Sequence, residues 1–149
     1  MPLYELLYEV ILLIAIMISS DRVYLSGAIT GIQRQHYIER FKLAEKMLRD
    51  EGYSRIVNPV RVWACRWPWL FKIMGYRFTL LYDLWLLTRC QRIYKIPTWQ
   101  KSRGANIESA VSYNLDIYLI PKDIRHRIDL KLEKLIQTQE KEGEEQGIN

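Results

Sequence analysis

From Asp21 onward, short bursts of β-branched and aromatic residues alternate with stretches of helical periodicity. Arg22–Ser26 (RVYLS) predicts a strand stopped at Gly27. Tyr37, Phe41, Ala44 and Leu48 recur at helical spacing, and Gly52 closes that helix. Arg55–Val57 predicts a second strand ended by Asn58 and Pro59. An aromatic segment with Trp63, Trp67, Trp69 and Phe71 follows, where Pro68 and Gly75 argue against one continuous helix. Leu80, Leu84 and Leu87 mark a helix over 79–89, and residues 93–96 a third strand. A helix over 102–114, a strand over 116–120 and an amphipathic helix carrying Ile124, Ile128, Leu132 and Leu135 complete the pattern, which fades into the polar tail EKEGEEQGIN. Such alternation predicts an α/β domain whose mainly parallel sheet is covered on both faces. Ligands of such sheets bind beyond the carboxyl ends of the strands, here residues 26–31, 58–69 and 97–108.

The first 20 residues stand apart from this pattern. Residues 10–18 (VILLIAIMI) are continuously apolar, but nine residues fall short of the roughly 20 of a membrane span. Glu5 and Glu9 replace the positive flank of a signal peptide. A helix packed on the domain or on a partner chain, an extension upstream of a start at Met17, and a membrane anchor all suit this segment, the anchor least. The chain thus divides into an apolar extension (1–20), an α/β domain (21–121) and a C-terminal helix with its tail (122–149).

Net charge is +5, and its distribution matters more than its sum. Residues 54–103 hold ten bases and one acid, Asp83, so this window is +9 and the remainder −4. A concentrated positive field suits an anionic partner, whether nucleotide, nucleic acid or membrane surface, or else a solvated basic face. Cys65 and Cys90 form no Cys-x-x-Cys pair, and His36 and His126 are isolated from them. This excludes a structural zinc site and a disulfide scaffold, calls for no metal or cofactor, and points to a reducing cytoplasm.

Three features at the strand ends carry chemistry. Ser26, Gly27, Thr30 and Gly31 form a glycine-bearing turn that lets backbone amides approach an anion, or simply a tight turn. Asp83, set in LLYDLWLL, is either desolvated and protonated as a general acid, or exposed and paired with Arg77 or Arg89. In KSRGANIE, Ser102 caps a helix whose free amides, with Arg103 and Gly104, form an anion site. Glu108 then sits at the edge of the buried face, pointing into a cleft or complementing the helix dipole from the surface.

Together VYLSGAITG, GYSRIVNP, YDLWLLTRCQRIY and WQKSRGANIESAV resemble the nucleoside 2-deoxyribosyltransferase superfamily, most closely its phage and bacterial branch. The resemblance covers residues 22–121 and implies a Rossmann/flavodoxin-like three-layer fold. It implies that Glu108 is the nucleophile that attacks the anomeric carbon of a 2-deoxyribosyl group and forms a glycosyl-enzyme ester. It further implies that Asp83 assists departure of the base and that Tyr24 positions the nucleophile. Ser102 matches the serine by which 2′-deoxynucleoside 5′-phosphate N-hydrolases contact phosphate, where transferases acting on free nucleosides have aspartate. A hydroxyl at a helix N-terminus accepts a dianion that a carboxylate would repel.

The match has departures. Ala28 and Thr30 stand where the hydrolases carry serine and arginine, and Gln91 replaces a common acidic residue. The reading is therefore cleavage of the N-glycosidic bond of a deoxynucleotide or deoxynucleoside, by hydrolysis or transfer, in a homo-oligomer. Its substrate-binding set is Ser26, Gly27, Thr30, Gly31, Asn58, Ser102, Arg103 and Gly104. The rival is a non-catalytic nucleotide- or single-strand-binding module whose tryptophan-rich basic stretch stacks bases.

Overall fold

The computed structural model of the chain describes residues 2–19, 21–61 and 68–147. Its elements run α1 (Leu3–Ser19), β1 (Arg22–Ser26), α2 (Arg34–Asp50), β2 (Arg55–Val57), α3 (Pro68–Thr88), β3 (Arg92–Lys95), a 3-10 turn (Trp99–Lys101), α4 (Arg103–Asn114), β4 (Tyr118–Leu119) and α5 (Lys122–Gly147). Trp63, Cys65, Arg66 and Trp67 lie outside the described residues. The four strands pair in the order β2-β1-β3-β4, all parallel. The fold is a mixed α/β three-layer arrangement of the Rossmann/flavodoxin-like kind.

Period-two alternation along the two central strands assigns the layers. Val23 and Leu25 of β1, with Tyr94 and Ile96 at β3, enter one core with Phe41 and Leu48 of α2 and Ile128 and Leu132 of α5. Tyr24 and Ile93 enter the other, with Leu87 of α3, Cys90 and Val111 of α4. Each fully buried Leu or Ile contributes about 1.5–3 kcal/mol. The alternation also decides where polar groups emerge. Tyr94 donates to Asp129 of α5 on the first face, while Lys95 donates to Ser109 of α4 at 2.6 Å on the second.

Several boundaries differ from the sequence pattern, each for a local reason. Pro68 stands at the first position of α3, where a missing N–H costs nothing, and so begins a helix. Only Gly75 (φ 84°, ψ 176°) breaks α3, and Trp69 and Phe71 are helical. Asp116 adopts a left-handed turn (φ 54°), which short polar side chains tolerate, so β4 starts at Tyr118 rather than 116. The tail expected to fade remains helical to Gly147. It is rich in Glu, Lys and Gln, which propagate a helix already docked through Ile136 and Gln139.

Three bases of the basic window are engaged within the fold. Arg61 pairs with Glu45 at 2.8 Å and Arg92 with Asp21 at 3.0 Å, while Arg89 lies over the Trp85 ring at 4.3 Å. In α1, the apolar side chains of residues 3–13, Leu3, Leu7 and Ile11 among them, are exposed rather than packed on the domain. Among the described residues no helix is long and apolar enough to cross a membrane.

Gly27 is where fold and site meet. A Cβ there would stand 3.2 Å from Ile96 and from Phe41, both core residues without room to retreat. Gly27→Ala is expected to lower stability by about 1–3 kcal/mol through overpacking. Denaturant unfolding checks this, and an unchanged midpoint would mean that the core yields.

Candidate active site

The site forms where α3 and α4 cover the carboxyl end of β1. Because residues two apart share a face, Tyr24 and Ser26 both point toward these helices. They are 0% and 1% exposed. Facing them from α4 is Glu108, in the second turn of that helix. The most buried residues of α4 are Ala105, Glu108 and Ser112, and Val111 beside them packs against the core. Small residues at 105 and 112 leave the inward space to the carboxyl. Glu108 is only 7% exposed, so it does not serve the dipole from the surface.

The start of α4 is pinned by side chains. Ser102 is extended (φ −106°, ψ 127°), and its Oγ accepts from the Ala105 N–H at 3.4 Å. Asn106 Nδ2 donates to the carbonyls of Ser102 (2.7 Å) and Gln100 (2.8 Å). Ser102 is buried, so its hydroxyl is held at the helix N-terminus. Asp83, from α3, is likewise buried at 6% exposure and not on an outer face. Its helix neighbour one turn on, Leu87, packs beside Tyr24.

Asp83, Ser102, Gly104, Glu108, Gly27 and Thr30 line one cleft of about 350 Å³. Tyr24 and Ser26 lie behind Glu108. Gly31 (φ 78°) falls on the far side of the loop, at a second cavity. Arg103 is exposed and outside the cleft lining. Asn58 is not brought to the cleft either. Its amide donates to Glu45 at 3.2 Å, and Glu45 also takes Arg49 and Arg61, so Asn58 ties the end of β2 to α2.

Residues missed by sequence reasoning also line the cleft: Arg34, Tyr37, Lys72 and Tyr76. Arg34 and Tyr37 belong to the first turns of α2, directly after the glycine loop, which was a usable signal. Tyr37 packs against the first core, as its place in the helical stripe predicts, and lines the cleft as well. Tyr76 follows the break at Gly75, and its hydroxyl stands 3.2 Å from where a Cβ on residue 104 would be. That contact is a tertiary reason for glycine at 104.

Electrostatics single out Glu108. Burial raises its pKa to about 7, against an ordinary 4.5, although the hydroxyls of Ser26 and Tyr24 act to lower it. Neither hydroxyl closes a full hydrogen bond with any described residue, so both can tighten onto the carboxylate as it ionises. Tyr24 is itself held well above its ordinary range, by burial first and then by Glu108 and Asp83. The Cys90 thiol, buried behind them, is pushed up to about 11 and is no thiolate at neutral pH. Among the described residues no three His, Cys, Asp or Glu side chains are grouped to hold a metal. The cleft thus offers a carboxyl poised between its two states, backed by two hydroxyl donors.

A family model described as "Domain of unknown function (DUF4406)" matches residues 21–120. The chain belongs to the DUF4406 family. No curated protein and no solved structure matches it. The DUF4406 match takes in the whole sheet, the glycine loop, α3 and α4, and leaves out α1 and α5. Every group named above in the cleft therefore lies within the DUF4406 region.

Burial of Glu108 has a consequence for stability. In the folded chain the carboxyl stays protonated up to about pH 7, whereas unfolded it ionises near 4.5. Stability is therefore lost as pH rises from 4.5 through 7, and the full penalty, about 3 kcal/mol, applies above 7. Glu108→Gln removes it. The variant should equal the wild type near pH 4 and exceed it by up to about 3 kcal/mol at pH 8. Urea unfolding at both pH values checks this, and a pH-independent difference would contradict it.

Proposed function

We propose that this chain cleaves the N-glycosidic bond of a 2′-deoxynucleoside 5′-phosphate through a covalent ester on Glu108. The observation that carries this reading is the buried Glu108 carboxyl, backed by the Tyr24 and Ser26 hydroxyls and sharing one cleft with Asp83. A carboxylate oxygen of Glu108 attacks the anomeric carbon and the bond to the base nitrogen breaks. The electron pair leaves with the base, which takes a proton from the Asp83 carboxyl. Water, or a second base, then attacks the anomeric carbon and releases Glu108, with Asp83 acting in reverse. Tyr24 and Ser26 hold the carboxylate in line. Cys90, as a neutral thiol, does not compete as nucleophile. The resemblance to the deoxyribosyltransferase superfamily supports the same assignment of Glu108, Asp83 and Tyr24.

The free protein must ionise Glu108 before attack. Its kcat/KM should therefore rise with pH along an acid limb centred near 7. Release of free base from a panel of deoxynucleosides and deoxynucleotides, followed by chromatography, tests the reading directly. Glu108→Ala should abolish release in a protein that still folds. Retained release in that variant refutes the mechanism, and binding without release from any substrate favours the nucleotide-binding module.

Ser102 is the position expected to hold the 5′-phosphate. Aspartate caps a helix as well as serine does, so Ser102→Asp leaves α4 intact while adding a charge. At about 4 Å and an effective dielectric near 20, like unit charges cost about 4 kcal/mol, and a quarter of that is about fivefold in affinity. The ratio of kcat/KM for nucleotide over nucleoside should collapse in Ser102→Asp. An unchanged ratio would leave Ser102 as a helix cap only.

A further inference from the structure

On the other side of the glycine loop lies a second cavity of about 340 Å³, between that loop, the 3-10 turn and the C-terminal half of α5. Arg40 lines it from α2 and is 6% exposed. Its Nε donates to Gln139 Oε1 at 2.7 Å. Gln139, 3% exposed, is fixed in turn by donating to the His36 carbonyl (3.2 Å) and to Glu39 Oε2 (3.1 Å). The guanidinium is thus gripped at one edge by a neutral amide. No described carboxylate forms a salt bridge with it, and its two terminal nitrogens make no hydrogen bond to a described residue.

A buried guanidinium that no carboxylate touches is costly. Burial pulls the Arg40 pKa down, and the charge of Glu140, which reaches it across the cavity wall, works against that without closing a salt bridge. Here Arg40 lines a cavity, and only its Nε is taken by a hydrogen bond to a described residue. Lys101 and His36 also line it, along with Thr30 and Thr98, against one acid, Glu140. Two lips of the cavity carry left-handed backbone, at Gly31 (φ 78°) and at Thr98 (φ 74°). A left-handed threonine is uncommon, and such strain concentrates at ligand sites. Gln139, Glu140 and Gly143 lie beyond the DUF4406 match, so α5 adds this wall to the family core.

We propose that this cavity is a binding site for a phosphate-class oxyanion, seated on the Arg40 fork and flanked by Lys101. The fork matches two oxygens of such an anion, and Lys101 supplies a second positive charge for a dianion. The site is separate from the Glu108 cleft and does not depend on the reaction proposed there. Thr30 lines both cavities, so an occupant here also bears on the loop that walls the cleft.

The test titrates the full chain with inorganic phosphate, and in parallel with deoxyadenosine 5′-monophosphate, by calorimetry and thermal shift. All measurements are made in the Glu108→Gln background, so that no turnover occurs. Wild-type Arg40 should bind at least one of these probes. Arg40→Gln should weaken binding by about tenfold or more, because a charged hydrogen-bond partner is lost, and Lys101→Gln by a smaller factor. Binding of phosphate alone identifies a free anion. Binding only of the nucleotide, still lost in Arg40→Gln but kept in Ser102→Asp, identifies a phosphate carried on a larger ligand.

Arg40 is buried, so a second variant guards against misfolding. Gly143 faces the cavity from α5, with open space where a side chain would go. Gly143→Leu blocks the cavity while improving helix propensity, and it should abolish binding in a protein at least as stable as its parent. Failure of both probes to bind at millimolar concentration, or binding unaffected by Arg40→Gln and Gly143→Leu, overturns the proposal.

Discussion

A carboxyl kept away from water must be stabilised by its surroundings or give up its charge, and the arrangement around Glu108 settles between the two. Full desolvation would leave it a neutral acid, and a nearby cation would leave it an inert carboxylate. Instead two hydroxyls from one strand face it, enough to bring its pKa back only to about 7. That balance needs Tyr24 and Ser26 on the same face, hence an unbroken β1, hence pairing of Tyr24 with both Val57 and Ile93 in the middle of the sheet. The central position of β1 is therefore a requirement of the site as much as of the fold. An edge strand would admit water beside the hydroxyls and return the carboxyl to its ordinary range.

Much of this was legible in the residues. The alternation of short strands with helical periodicity is a local property, and it identified β1, β2, β3 and α4 closely. Asp83 stood out as a carboxylate among large apolar side chains and Glu108 as one early in a capped helix. The residues left each between a buried and an exposed alternative, and the family resemblance chose between them. What could not be read was tertiary. The buried face of α4 includes the small residues Ala105 and Ser112 on either side of Glu108 as well as Val111, and small residues there leave no apolar signal to read. Asn58 looked like a ligand at a strand end, but its amide is spent on Glu45, a partner 13 residues away that no spacing rule connects to it. Arg40 and Gln139 meet across 99 residues, and neither stands out locally.

The glycine loop carries two unrelated constraints at once. At Gly27 the absence of a side chain is demanded by Ile96 and Phe41 beneath, which bring the loop down onto the core. At Gly31 the demand is conformational: with φ 78° and nothing within 4 Å, the residue is there to turn the chain, not to make room. Between them Thr30 is exposed to both cavities. Gly27 is constrained by the core beneath it and Gly31 by its turn, so Thr30 lies between two positions that each require glycine for a different reason.

The division of the chain into a family core and its additions follows from the layers. The DUF4406 region ends at Ile120, just after the sheet is complete. The face of the sheet carrying Tyr24 is covered by α3 and α4, both within that region, and these helices bring Asp83 and Glu108 to a cleft that α2 also lines through Arg34 and Tyr37. The opposite face is covered by α2 and by α5, which lies outside it. Without α5, Val23, Leu25 and Tyr94 would lose part of their cover, and burial of several such side chains at about 1.5–3 kcal/mol each is not dispensable in a marginally stable domain. An added helix that must be present for packing is free to vary in what its polar positions do. In this chain one of them, Gln139, reaches back to grip Arg40 beside the glycine loop.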